Sequence, residues 1–206
     1  MPPMADGDEH REAGGIVLAG GRSSRMGTDK ATLDWHGTPL VAHVAGAVAR
    51  AVGGPVVVVA APGQRLPALP FGIDVTRDAR EGRGPLQGLV AGLDALDGRA
   101  GCAFVVATDM PFVAPPLVAR LLAALRPDDD AAAVVAGGVV QPLGAVYRTR
   151  VAATAAELLA GERRSLTALL DAVRTRRLDG DALPATELAA LRGVDTPEDY
   201  AAALRA

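Results

Sequence analysis

Short apolar runs alternate along this chain with longer stretches whose apolar residues recur at helical spacing. Strand-like runs cover residues 15–19, 55–61, 73–76, 102–108, 133–136 and 144–147. Helical spacing covers residues 38–51, 85–96, 115–125, 151–159, 166–173 and 197–204. Such alternation predicts a mostly parallel sheet with helices on both faces. We therefore predict an α/β fold, a single Rossmann-like domain with three α/β/α layers.

Local signals refine the boundaries of these elements. Thr38 followed by Pro39 has the pattern of a helix N-cap with proline in the first helical position. Gly137 and Gly138 indicate a tight turn between two strands. The polar residues 174–185 are interpreted as a surface connection.

The composition agrees with one globular domain and excludes some classes of partner. With 206 residues, half of them hydrophobic, the chain is long enough to bury a sizeable core. The net charge of −3 is not that of a nucleic-acid-binding protein. No apolar run approaches the roughly 18 residues that a membrane helix needs. We therefore expect neither a nucleic acid nor a membrane as a partner.

The first 14 residues are charged and contain no apolar segment. We expect a disordered leader at 1–14 and one domain at 15–206. Cys102 is the only cysteine and cannot form an internal disulfide, so we expect an inert, buried thiol and a cytoplasmic location.

A glycine-rich loop follows the first strand-like run, within the sequence LAGGRSSRMGTDK at residues 18–30. Gly20 and Gly21 allow a sharp turn and a close approach of a ligand to the backbone. The amides of such a loop can point at phosphate oxygens. The loop also supplies three cations, Arg22, Arg25 and Lys30. It therefore predicts a phosphate site, with an ordinary solvated turn as the alternative.

Lys30 is the only lysine among 21 basic residues, and the chain contains no asparagine. This composition indicates a coding bias that replaces lysine with arginine. A lysine that survives such a bias is a candidate for a position beside a phosphate, where a planar guanidinium is too broad. Chance is the alternative.

Two familiar phosphate-binding motifs do not fit this loop. A P-loop needs lysine directly after its second glycine, whereas Thr28 follows Gly27. The dinucleotide fingerprint G-x-G-x-x-G is broken at residues 20–24. A nicotinamide-dependent oxidoreductase is therefore a distant alternative.

Carboxylates follow two of the strand-like runs. Asp109 ends the most hydrophobic run, and a carboxylate together with substrate phosphates is the usual way in which proteins hold Mg²⁺. Asp78 follows the run at 73–76, and Gly84 before Pro85 suits a helix entry whose amides face an anion. A turn or helix-cap aspartate is the alternative in both cases.

These motifs resemble the nucleotidyltransferase superfamily, and most closely its molybdenum cofactor guanylyltransferases. The resemblance runs through the glycine-rich loop, GPLQGL at 84–89 and TDMP at 108–111 to QPL at 141–143, GERR at 161–164 and DTPED at 195–199. It covers most of the chain, in order. The Ala-Gly-Gly form of the first motif favours the guanylyl branch over the cytidylyl and isoprenoid-pathway enzymes.

The resemblance implies a fold of nucleotidyltransferase type and transfer of GMP from GTP to molybdenum-molybdopterin, with release of pyrophosphate. It implies Mg²⁺ as cofactor, held by Asp109, and charge neutralisation by Lys30. It implies transient contact with molybdenum-insertion proteins or molybdoenzymes. The nucleotide-binding residues that it implies are Leu18, Ala19, Gly20, Gly21, Arg22, Lys30, Asp78 and Asp109, with Lys30, Asp109 and Arg25 as catalytic residues.

The chain departs from the family pattern at two places. Ala60 and Ala61 occupy a region where the family often has asparagine, and Asp195 replaces the asparagine of a later Asn-Thr-Pro pattern. An amide both donates and accepts hydrogen bonds, so its loss bears on the choice of base.

Two later segments are interpreted as facing the acceptor. Residues 141–143 are one of them, and the adjacent cations Arg163 and Arg164 suit a phosphorylated pterin. The alternative for the second is a solvated helix junction with Ser165 as N-cap.

Other functions stay open at this point. A CTP-dependent molybdopterin cytidylyltransferase or a sugar-phosphate nucleotidyltransferase would use the same loop and carboxylate. A non-catalytic nucleotide-binding regulator would share the fold, although it would not need both Lys30 and Asp109. The three histidines have no partner that suggests base catalysis, so packing or surface roles are expected for them.

Overall fold

The computed structural model describes residues 12–20, 29–78, 84–161 and 163–205. Its strands, in chain order, are β1 (Gly14–Leu18), β2 (Asp34–Trp35), β3 (Thr38–Pro39), β4 (Val56–Ala60), β5 (Ile73–Arg77), β6 (Cys102–Ala107), β7 (Ala131–Ala136), β8 (Val139–Val140), β9 (Ala145–Arg148) and β10 (Thr175–Asp179). Its α-helices are α1 (Leu40–Ala51), α2 (Pro85–Leu96), α3 (Pro115–Ala124), α4 (Ala152–Ala160), α5 (Leu166–Ala172), α6 (Ala185–Ala189) and α7 (Pro197–Ala203).

Eight of the described strands form one large sheet in the order β10-β7-β9-β6-β1-β4-β5, with β8 paired to β7, and β2 and β3 form a separate two-stranded sheet. β1 pairs in parallel with both β4 and β6, and β4 pairs in parallel with β5. β9 runs antiparallel between β6 and β7. The predicted α/β fold with a mostly parallel sheet is confirmed. Since β1, β4, β5 and β6 run in one direction, their carboxyl ends share one edge, where open α/β sheets bind ligands.

Alternate residues of the central strands face opposite sides of the sheet and fill two cores. Val17 and Val58 pack on the side of α1 and α3, whereas Ile16 and Val57 pack on the side of α2, α4 and α5. Every residue of β1 and of β4 is buried because helices cover both faces. Three α/β/α layers result, as predicted.

The predicted N-cap at Thr38 is wrong. Thr38 and Pro39 form a short antiparallel pair with Asp34 and Trp35, and α1 begins one residue later, at Leu40. Pro39 takes the cap position without a side-chain hydrogen bond. Pairing that buries Trp35 overrides the local capping signal at this site.

The interpretation of residues 174–185 as a surface connection is also wrong. Thr175–Asp179 is β10, which pairs in parallel with β7 and closes one end of the sheet. Edge strands of this kind are half exposed, which explains why a polar sequence can form one. Residues 180–182 that follow form a 3₁₀ turn.

The expected burial of the Cys102 thiol is only partly correct. Cys102 is the first residue of β6 and is half-buried, whereas the next four residues of the strand are fully buried. Its position at the end of the strand, opposite the half-buried Arg148, explains the difference.

Several other boundaries agree with the sequence. Gly137 and Gly138 adopt positive φ values of 58° and 77° and join β7 to β8, as the predicted tight turn. β1 begins at Gly14, the last residue of the leader predicted at 1–14, so the predicted boundary differs by one residue; residues 1–11 lie outside the described residues, and the domain bounds stay a prediction. No helix in the described ranges combines the length and the apolar character that a membrane span requires.

Candidate active site

The carboxyl ends of β1 and β6 lie side by side. Leu18 is the register partner of Ala107. Beyond this pair, the Leu18 carbonyl oxygen accepts hydrogen bonds from the Thr108 backbone N–H at 3.0 Å and from its hydroxyl at 3.3 Å. The start of the glycine-rich loop and the segment that carries Asp109 are therefore joined directly.

The first residues of the glycine-rich loop use their backbone groups inside the protein. The N–H groups of Ala19 and Gly20 both donate to the Val59 carbonyl, at 2.9 and 3.2 Å. A Cβ on Gly20 would lie 3.0 Å from the Ala61 nitrogen, so a larger residue would require this closely approaching backbone to move by a few tenths of an ångström. The predicted binding of nucleotide by Leu18, Ala19 and Gly20 stays a prediction. Their present contacts fix the direction in which the loop leaves the sheet.

Lys30 enters the site from the far end of the same loop. It begins a 3₁₀ turn, Lys30–Thr32, whose N-cap is Asp29. Asp29 Oδ1 accepts from the Ala31 N–H at 2.9 Å, and the Asp29 carbonyl oxygen accepts from the Thr32 hydroxyl at 2.9 Å. This cap holds the backbone turn from which the lysine side chain extends.

Lys30 joins two carboxylates that are distant in the sequence. Its Nζ donates to Asp109 Oδ2 at 2.8 Å and to Asp195 Oδ1 at 3.0 Å. The side chains of Lys30 and Asp109 are only 18% and 26% exposed, whereas that of Asp195 is 63% exposed. The structure thus brings together the two residues that the sequence singled out and adds a third.

The charge state of Lys30 follows from these contacts. Partial burial lowers the pKa of Lys30, but the hydrogen bonds and charges of Asp109 and Asp195 outweigh burial, so its pKa lies above the ordinary value. Lys30 is therefore a fixed cation throughout the physiological range.

Asp195 owes its position to two anchors. The Val194 N–H donates to the Asp109 carbonyl oxygen at 2.8 Å, so the two aspartate segments are bonded to each other. Directly after Asp195, Thr196 and Asp199 form a reciprocal capping box that starts α7. The sequence marks this segment only through the family resemblance, and only the folded chain shows that it meets Asp109.

An aromatic cluster supports the same region from behind. Trp35 packs against the rings of His43, Phe112 and Tyr200 at centroid distances of 5.5, 5.7 and 6.1 Å. His43 Nε2 makes a 2.9 Å hydrogen bond with the Pro111 carbonyl oxygen, just after Asp109. The expected packing role of this histidine is confirmed, and the packing holds the Asp109 segment in place.

Asp78 lies at the same sheet edge, after β5. Its backbone N–H donates to the Ala60 carbonyl oxygen at 2.9 Å. Gly84 is the N-cap of α2, with φ 79° and ψ 179°, and Pro85 is the first helical residue, as predicted. Gly21, Arg22 and Arg25, three of the predicted site residues, lie outside the described residues.

The two predicted acceptor segments lie in the turn between β8 and β9 and at the junction of α4 and α5. Ser165 caps α5 by accepting from the Ala168 N–H at 3.0 Å, as its alternative interpretation required. Arg163 and Arg164 are exposed beside this cap. The buried Tyr147 donates its hydroxyl to the Pro142 carbonyl oxygen at 2.6 Å, which fixes the turn at 141–143.

The fold and the site define a class of protein. The two described ends of a glycine-rich loop, a lysine and two carboxylates meet at the carboxyl edge of a parallel sheet, which is the arrangement of a nucleotide-handling α/β enzyme. The model of the MobA-like NTP transferase domain matches residues 15–177. The chain belongs to this family.

Comparison with individual proteins agrees with this assignment. The chain is 39% identical over 187 residues to a probable molybdenum cofactor guanylyltransferase of Mycobacterium tuberculosis, a match that covers 89% of this chain and 92% of the relative. It is similar in structure to molybdopterin-guanine dinucleotide biosynthesis protein A of Archaeoglobus fulgidus, with a TM-score of 0.75 and 23% identity over 93% of this chain and 97% of that one. A Mycobacterium tuberculosis protein solved in complex with manganese has a TM-score of 0.60 and 22% identity over 95% and 99% of the two chains.

Proposed function

We propose that this protein transfers GMP from GTP to molybdenum-molybdopterin, forming molybdopterin guanine dinucleotide and pyrophosphate. The observation that carries the chemistry is the contact of Lys30 with both Asp109 and Asp195 at the sheet edge that receives the glycine-rich loop. The identity of base and acceptor follows from the curated relatives at 39% identity.

The reaction is an in-line displacement at the α-phosphorus of GTP. An oxygen of the acceptor's terminal phosphate forms the new bond, the bond between the α-phosphorus and the bridging oxygen of the β-phosphate breaks, and pyrophosphate leaves. A phosphate monoester is already anionic near pH 7, so the step requires no general base. This agrees with the packing role of His43.

The protein's contribution is positioning and neutralisation of charge. Lys30 would place its ammonium beside the triphosphate and stabilise the negative charge that develops on the leaving pyrophosphate. The carboxylates that hold Lys30 keep it charged and aimed at the sheet edge. Asp78 would contact the nucleotide from the end of β5.

We also propose that the enzyme uses Mg²⁺, with Asp109 as the ligand and Asp195 beside it. No group of three or more metal-binding side chains is present among the described residues. Mg²⁺ commonly needs only one or two carboxylates, because substrate phosphates and water complete its shell. The carboxylates of Asp109 and Asp195, which both contact Lys30, fit that pattern. When bound, the ion would neutralise phosphate charge.

Other residues have proposed roles of the same kind. Gly21, Arg22 and Arg25 would help to hold the pyrophosphate portion of GTP. Arg163 and Arg164 would face the phosphate of the pterin, with the Ser165 cap fixing their segment. Transient contact with molybdenum-insertion proteins or molybdoenzymes would deliver or remove the cofactor.

Position-specific labelling tests the proposed bond cleavage. The purified protein is given Mg²⁺, molybdenum-loaded molybdopterin and GTP labelled at either the α- or the γ-phosphate. The proposal predicts that α-label enters the pterin product and that γ-label is recovered only in pyrophosphate. Appearance of γ-label as free phosphate would indicate hydrolysis instead, and GTP binding without label transfer would favour a non-catalytic regulator.

A further inference from the structure

The loop between β4 and β5 carries a side chain that contacts both ends of the glycine-rich loop. Gln64 Nε2 donates to the Ala19 carbonyl oxygen at 3.1 Å and to Asp29 Oδ2 at 2.9 Å. Ala19 lies at the start of that loop and Asp29 at its end. One side-chain amide therefore joins the residue at which the loop leaves β1 to the residue that caps the Lys30 turn.

The orientation of the Gln64 amide is fixed by a third contact. Its Oε1 accepts from the Ala61 N–H at 2.9 Å. An amide has two N–H donors and one carbonyl oxygen, and in Gln64 each of these groups has a partner inside the protein. If the amide were flipped, its NH₂ group would face the Ala61 N–H, and its oxygen would face the acceptor oxygens of Ala19 and Asp29.

The backbone of Gln64 is also held. Its N–H donates to the Ala61 carbonyl oxygen at 3.1 Å, and its carbonyl oxygen accepts from Arg77 at 3.0 Å. The side chain thus projects from a closed turn tied to the end of β5. It can act as a support because its own position does not depend on the loop that it contacts.

Asp29 transmits this support to Lys30. One carboxylate oxygen accepts from Gln64, and the other caps the turn in which Lys30 is the first residue. A shift of Asp29 would change the direction in which Lys30 extends toward Asp109.

We propose that Gln64 is a positioning residue for nucleotide binding, acting through Ala19 and Asp29 rather than by touching the substrate. It sets the distance between the two ends of the phosphate loop and, through the Asp29 cap, the direction of Lys30. This role rests on the proposed function, since it assumes that the loop receives GTP. An amide is thus present near Ala60 and Ala61, but its hydrogen-bonding groups serve the loop.

Exchange of the acid and the amide gives a stringent test. In Gln64→Glu, both side-chain oxygens can only accept hydrogen bonds. One of them therefore faces the acceptor oxygens of Asp29 and Ala19 with no hydrogen atom between them. In Asp29→Asn, the new NH₂ group faces either the Gln64 NH₂ group or the Ala31 N–H. In the double variant, the asparagine at position 29 can cap Ala31 with its oxygen and donate with its nitrogen to the glutamate at position 64. The double variant restores the contact between positions 29 and 64 at unchanged net charge, although it leaves Ala19 without its donor.

The measurement is the dissociation constant of a fluorescent GTP analogue in Mg²⁺, with kcat and thermal unfolding followed in parallel. We expect Gln64→Ala to weaken binding roughly tenfold, the loss of about 1.4 kcal/mol. We expect Gln64→Glu to weaken it further and the double variant to recover roughly tenfold relative to Gln64→Glu. Gln64→Met, which keeps the length of the side chain, serves if the alanine variant does not fold.

The matched control is Thr175→Val, which removes a side-chain hydrogen bond to the Leu170 carbonyl oxygen at the opposite end of the sheet. It should lower the unfolding temperature without changing GTP affinity. Gln64 variants that bind GTP as wild type does, or a double variant no better than Gln64→Glu, would overturn the inference. If wild-type protein itself fails to bind GTP, the proposed function fails instead.

Discussion

Two independent observations single out Lys30: the composition of the chain and the contacts of the side chain in the folded protein. The chain contains one lysine among 21 basic residues, and the fold places that lysine between two carboxylates at the carboxyl edge of the sheet. An ammonium group on a flexible stem can exchange partners between carboxylate and phosphate. A guanidinium favours planar, bidentate partners and needs more room.

Replacement of Lys30 tests this difference. Lys30→Ala should lower kcat by about 10²- to 10³-fold, the range found when one charge-stabilising donor is removed from a transition state. Lys30→Arg should recover only a small part of that loss. Steady-state kinetics measures both, with Arg177→Ala as a folded control at the far edge of the sheet. A fully active Lys30→Arg would show that survival of the lysine has no functional cause.

Asp109 and Asp195 make separable predictions for metal binding. Asp109 is the less exposed carboxylate and the proposed ligand, so Asp109→Asn should weaken binding of Mn²⁺ in the presence of GTP by at least about tenfold. Asp195→Asn should have a smaller effect, because its side chain is 63% exposed. Electron paramagnetic resonance of free Mn²⁺ gives both values. Equal affinity in wild type and Asp109→Asn would remove Asp109 from the metal site.

At the scale of elements, the ends of helices and strands decide where functional groups lie. α2 begins after a glycine with φ 79° and ψ 179°, a conformation open almost only to glycine. Asp130 and Arg174 directly precede β7 and β10, and their hydrogen bonds hold the outer half of the sheet together. The start of α2 and the start of β7 therefore each lead to a prediction about the stability of the protein.

Gly84→Ala should destabilise the protein by about 1–3 kcal/mol, because alanine must adopt a strained conformation at the start of α2. Gly46→Ala is the matched control inside α1, where its Cβ would meet only the flexible end of Arg50 and the ring of Pro70. That change should stabilise by about 0.5–1 kcal/mol. Urea unfolding measures both. Equal effects of the two substitutions would contradict the assigned backbone role of Gly84.

Asp130 predicts how stability depends on pH. Burial raises the pKa of Asp130, but hydrogen bonds from Arg150 and from the Arg174 N–H outweigh it, so the pKa lies below the ordinary value near 3.8. A carboxyl whose pKa is lowered by folding stabilises above its unfolded pKa and loses that contribution as pH falls through the folded value. Asp130→Asn should cost about 0.5–1 kcal/mol at pH 7. The difference, measured by urea unfolding across pH, should shrink below pH 3.8, and a difference independent of pH would contradict this assignment.

At the scale of the whole molecule, periodicity predicted the layers but not every strand. Buried runs such as Val56–Ala60 need helices on both faces of the sheet. The chain supplies those helices in the segments that connect one strand to the next. β10 was missed because a half-exposed edge strand has no apolar run, and pairing with β7 is a tertiary contact. The local sequence at Thr38 predicts a helix cap because the pairing of Thr38 with Trp35 is a contact that local sequence does not show.

The candidate site, too, could be predicted only in part from the sequence. Lys30 and Asp109 could be singled out from residue type and position after apolar runs. The contact of Lys30 with Asp195, which is 165 residues away in the sequence, depends on the fold. Gln64 belongs to none of the motifs singled out in the sequence, and its importance emerges only from its contacts with both ends of the loop in the folded chain.

Pyrophosphate release with four nucleotides tests whether this protein is a guanylyltransferase. The protein is supplied with Mg²⁺, molybdenum-loaded molybdopterin and GTP, CTP, ATP or UTP in turn. We expect release with GTP and little with the other three. Release with CTP would keep the fold and the mechanism but contradict the assignment of guanine, and no release with any nucleotide would contradict nucleotidyl transfer to this acceptor.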